Sequence, residues 1–109
     1  IYQRWDEARD PKGFDGVPPR VNAARKPGRW QSFDIVFRAP RFDESGAKVE
    51  DARFVSVHHN GVLVHEDVAV GGPTRGGSAE EASTGPIRFQ GDHGPVAYRN
   101  LKVRRLRLD

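Results

Sequence analysis

Four side chains near the C-terminal end carry the most chemistry for their spacing: Gln90, His93, Arg99 and Asn100. They supply an amide, an imidazole, a guanidinium and a second amide, a set suited to the hydroxyls and carbonyl of a sugar. The alternative is structural, with Arg99 and Asn100 satisfying loop carbonyls and His93 capping a turn. A second cluster, His58, His59 and His65, is a weaker candidate for metal. No carboxylate stands at a familiar zinc spacing, and neither HExxH nor a Cys pair occurs. Packed or surface histidines are the expectation there, and no metal or cofactor is expected. No Gly-rich phosphate loop or GxSxG elbow is present. Ser56 and His65 face each other in the expected register, but nothing places an acid behind that imidazole. Trp30, Trp5 and Tyr2 offer aromatic faces to a sugar ring. Trp30 reads as a core-edge residue, whereas Trp5, among Arg4, Asp6, Glu7 and Arg9, reads as exposed.

The elements that must position these groups are all strands. Twelve Gly and eight Pro in 109 residues impose many turns, and no segment keeps a helical period over ten residues. Residues 1–29 form an irregular, loop-rich opening punctuated by Pro11, Gly13, Gly16, Pro18, Pro19, Pro27 and Gly28. Residues 30–39 alternate as a strand, with Phe33, Ile35 and Phe37 on one face, until Pro40 ends the pairing. A polar turn around Gly46 follows.

Asn60-Gly61 is a strong two-residue turn signal between strands 54–59 and 62–67. The expected register pairs His59 with Val62, His58 with Leu63, Val57 with Val64 and Ser56 with His65. It puts His58, His65 and Ser56 on one face. Residues 71–85 are expected to be an exposed loop. Two final strands, 87–90 and 96–103, are joined by Gly91-Asp92-His93-Gly94-Pro95 and carry the four candidate groups toward one end of the sheet. The apolar phase switches between Tyr98 and Leu101, which predicts a β-bulge at Arg99-Asn100 or a strand buried on both faces.

Composition narrows the partners. Apolar residues at 36% and charged residues at 30% suit one soluble globular domain. No apolar run is long enough to cross a membrane, so no membrane partner is expected. The basic run Lys102, Arg104, Arg105 and Arg107 alternates with Leu101, Val103, Leu106 and Leu108, as on the solvated face of a strand. With a net charge of only +3, no nucleic-acid partner is expected. No leader is visible ahead of Ile1, and a processed or trimmed start is expected.

Five ordered blocks carry a family resemblance. They are Pro18-Pro19-Arg20-Val21-Asn22-Ala23, then Lys26-Pro27-Gly28-Arg29-Trp30-Gln31-Ser32-Phe33-Asp34-Ile35, and Ala39-Pro40-Arg41-Phe42-Asp43. After these come His59-Asn60-Gly61-Val62-Leu63-Val64-His65, and residues 85–96 with Tyr98-Arg99-Asn100-Leu101. Together they resemble the 3-keto-disaccharide hydrolase domain family. The resemblance implies an antiparallel jelly-roll, concanavalin-like (laminin-G-like) β-sandwich, and favours a periplasmic or secreted setting. The family domain is roughly twice this size, and the resemblance covers its C-terminal half, so the sandwich is expected to be incomplete. The tract 3–15 is longer than the equivalent family loop. Bare edges and a bare apolar face would then be covered by a homo-oligomer or by a partner chain supplying strands.

The implied substrate is a saccharide oxidised at C3, a 3-keto-saccharide. The ketone acidifies the C2 hydrogen, so a base can remove it and expel the C1 leaving group before water adds. His93 would then be base or acid, and Arg99 would stabilise the enolate. Gln90 and Asn100 would clamp hydroxyls, with Asp92 and Trp5 completing the substrate-binding set. Two other readings remain beside the enzyme: a non-catalytic glycan-binding module, and a structural remnant that assembles with itself.

Overall fold

The computed structural model describes residues 1–108. The chain is all-β and antiparallel, with no helix among the described residues. The strands are β1 (Arg4–Trp5), β2 (Gly13–Phe14), β3 (Phe33–Arg38), β4 (Arg41–Phe42), β5 (Lys48–Glu50), β6 (Ala52–His59) and β7 (Val62–Val70). The main sheet has the order β3-β6-β7, while β1-β2 and β4-β5 are small separate ribbons.

The alternation of Phe33, Ile35 and Phe37 produces β3. Its partners on the same face of β6 are His59, Val57 and Phe54. Between β6 and β7, Asn60 (φ 52°) and Gly61 (φ 78°) both occupy the left-handed region, as a two-residue hairpin turn demands. The Asn60 side chain also fastens the hairpin tip. Its Oδ1 accepts from the Ser32 amide at 3.0 Å and its Nδ2 donates to the Ala23 carbonyl at 2.8 Å.

The register departs from the expectation after two pairs. His59 faces Val62 and His58 faces Leu63, but Val57 then faces His65 and Ser56 faces Glu66. Val64 is the extra residue of a bulge, which turns Val64 and His65 together toward Val57. All three are buried. Packing is the physical reason for the slip, since a bulge hides two residues of β7 where alternation would hide one. The bulge leaves the Val64 carbonyl free on the outer edge, where it accepts from the Arg20 amide at 2.9 Å. Ser56 and His65 consequently do not pair, and His58 and His65 lie on different faces.

The expected terminal strands show the largest difference. Residues 87–90 and 96–103 join no ladder, and no register shift marks Arg99-Asn100. The irregularities lie in the main sheet and at β4-β5, although Asn100 does adopt a left-handed φ of 56°. A strand forms only where a neighbour can take its backbone groups, and none does so here among the described residues. The two segments still meet through side chains. Tyr98 Oη donates to the Gln90 carbonyl at 2.6 Å, and the Phe89 and Tyr98 rings lie 5.1 Å apart.

The core is correspondingly small, comprising Ala52, Val57, Val64 and the ring of His65. On the same face Phe33 is 62% exposed and Ile35 51%. The radius of gyration, 15.3 Å, exceeds the roughly 13 Å of a compact domain this long.

Candidate functional site

The loop between the two terminal segments builds a small polar cluster. Gly94 takes φ 99°, a conformation that L side chains rarely adopt, and so tightens the turn after His93. His93 Nδ1 lies 2.8 Å from Asp92 Oδ1 and 3.0 Å from Gln90 Nε2. One nitrogen cannot donate to the first and accept from the second at once. The carboxylate is the stronger partner, so Nδ1 carries the proton and donates to Asp92. The bond from His93 holds the Asp92 carboxyl below the ordinary aspartate range, and a further bond from the Gln90 amide adds to it. With Nδ1 engaged by Asp92, Nε2 is the ring nitrogen left for another partner, and the His93 side chain is 77% exposed.

Tyr98 links this cluster to the next group. Immediately after it, the Arg99 guanidinium stacks on Trp30, 3.7 Å from the ring centroid. Stacking uses the face of the guanidinium and leaves its in-plane N–H groups available to an anion or carbonyl. Asn100 is exposed on the same stretch.

Trp5 lies elsewhere. It pairs with Gly13 in the β1-β2 ribbon, donates from Nε1 to Glu7 at 2.8 Å, and carries the Arg75 guanidinium 3.9 Å above its ring. The structure therefore joins Gln90, Asp92 and His93 by hydrogen bonds and sets Arg99 and Asn100 directly after Tyr98. Trp5 makes no hydrogen bond or stacking contact with any of them.

Tyr98 and the setting of Trp30 were less legible in the sequence. Tyr98 was visible only as a parity residue of a strand, and Trp30 as an aromatic face that reads more simply as a core-edge residue. Trp30 is 47% exposed beneath Arg99. The pairing of Trp30 with Arg99 leaves no local sequence signal, because 69 positions separate them.

The hairpin histidines have structural partners. His59 stacks on Phe33 with centroids 4.2 Å apart, and its Nε2 donates to Gln31 Oε1 at 2.8 Å. His65 is buried, and burial, followed by the positive charges of the chain's amino group and Arg20, pushes its pKa down. His58 sits on the opposite face, lining a cavity of about 370 Å³ with Ser32, Phe33, Asp34 and Gly61. Among the described residues, no three His, Cys, Asp or Glu side chains are grouped to hold a metal ion.

A family model described as a 3-keto-alpha-glucoside-1,2-lyase-like domain matches residues 1–104. No curated protein and no solved structure matches the chain.

Proposed function

Because this chain belongs to the 3-keto-alpha-glucoside-1,2-lyase-like domain family, we propose that it cleaves the glycosidic bond of 3-keto-sugars by elimination and hydration. The observation that carries the reading is the 2.8 Å contact between Asp92 and His93 Nδ1, which leaves Nε2 as a base. His93 Nε2 takes the C2 proton of the substrate. The electron pair of that C–H bond moves toward the C3 carbonyl, and the resulting enolate oxygen faces the Arg99 guanidinium. Collapse of the enolate forms the C1–C2 double bond and breaks C1–O, and the leaving oxygen takes a proton. Water then adds, hydroxyl to C1 and hydrogen to C2, so the sum is hydrolysis. Gln90 and Asn100 hold neighbouring hydroxyls. Asp92 stabilises the imidazolium that forms on His93.

The decisive measurement is leaving-group release from a 3-keto-glucoside. His93→Ala is expected to lower it by about a hundredfold or more, the usual contribution of a positioned base. Unchanged turnover would remove His93 from the mechanism. The open setting of His93 favours a second reading, a glycan-binding module that keeps the polar cluster without turnover. Saturable binding of the same sugar with no product release would establish it.

A further inference from the structure

The segment before β3 lines an open groove. Ala24, Arg25, Lys26, Gly28, Arg29 and Trp30 line a groove of about 800 Å³. Its shape is fixed locally. The Arg25 amide donates to Gln31 Oε1 at 3.0 Å, and the Arg25 guanidinium donates to the Trp30 carbonyl at 3.2 Å. Gly28 turns the chain at φ 85°.

The charge in the groove is unbalanced. Among the described residues no carboxylate ion-pairs with Arg25, Lys26, Arg29 or Arg99. Other cations among the described residues also lack an acidic partner, among them Arg9, Arg75, Arg88 and the basic run 102–107. What sets the groove apart is that Arg25, Lys26 and Arg29 line one surface together with an indole. Three cations lining one surface with a half-exposed indole, one face of which already carries Arg99, suit a ligand that combines negative charge with a flat ring able to pack beside that indole.

We propose that this groove receives the leaving-group side of an acidic glycoside, its ring against Trp30 and its carboxylate among Arg25, Lys26 and Arg29. The proposal rests on the sugar reading of residues 90–100, because Arg99 on Trp30 joins the groove to the Gln90–His93 cluster. It goes beyond that reading by selecting among glycosides: an anionic leaving group is preferred over a neutral one of the same shape.

Calorimetric titration of the full chain tests this with 4-carboxyphenyl and 4-carbamoylphenyl glucosides, and with benzoate and benzamide as sugar-free probes. The carboxylate is expected to bind roughly three- to tenfold tighter than its amide at low salt, as a few exposed ion pairs would give. The margin should close at high salt. It should also close in Lys26→Gln/Arg29→Gln, whose side chains make no hydrogen bond or ion pair in the fold and whose circular dichroism should match the parent. Equal binding of the two glucosides would overturn the groove and leave the sugar reading intact. Preference for benzoate with no binding of either glucoside would uphold the groove and count against the sugar reading. Displacement of the acidic glucoside by a thymidine oligonucleotide at far lower concentration would overturn the proposal in favour of nucleic acid.

Discussion

At the scale of single residues, the Asp92–His93 contact makes a prediction of its own. Asp92→Asn preserves shape but weakens the hold on Nδ1–H and on the imidazolium. Turnover of a 3-keto-glucoside is expected to fall about tenfold or more, with its pH profile displaced, while sugar affinity changes little. Equal kinetics in the two proteins would make the contact ornamental. The residues around this contact were legible because Gly91 to Pro95 can only be a tight loop, which forces Gln90, Asp92 and His93 together. Trp5 is exposed, as its charged neighbours announce, but nothing local announces its contact with Arg75 seventy positions away. One of those neighbours, Glu7, accepts its indole N–H.

At the scale of elements, the β6-β7 hairpin was readable and its register only in part. Asn60-Gly61 fixed the turn and its first two pairs, but a bulge at Val64 needs no glycine and so leaves no composition signal. That bulge buries His65, and a testable pH dependence follows. The His65 pKa is lowered in the fold, so the unfolded chain binds a proton there first as pH falls. Its stabilising contribution is full above the unfolded value of about 6.5 and is lost as pH falls through that value toward the depressed folded one. The melting temperature is expected to drop between neutral and mildly acidic pH. In His65→Leu, where nothing titrates, that part of the slope should flatten. An unchanged slope would show that other groups set it. The terminal segments were misread for a related reason: alternation in sequence reports a wish for a partner and not its presence.

At the scale of the whole molecule, the apolar face of β3 dominates. Phe33, Ile35 and Phe37 stay about half exposed or more, and the free edge of β3 presents unpaired backbone. We propose that a second copy or a partner chain covers them. Sedimentation is expected to give a mass above the 12.2 kDa of one chain, and Ile35→Ser/Phe37→Ser should shift it back toward that value. A single monomeric species at all concentrations would discard this proposal. The ladder-free course of residues 86–108 has one more consequence. The β3-β6-β7 sheet with its Asn60-Gly61 turn borrows few interactions from the stretch that bears the imidazole. Evolution can therefore rewrite the loop that bears His93, or a single protease nick remove it, while the scaffold behind keeps its shape.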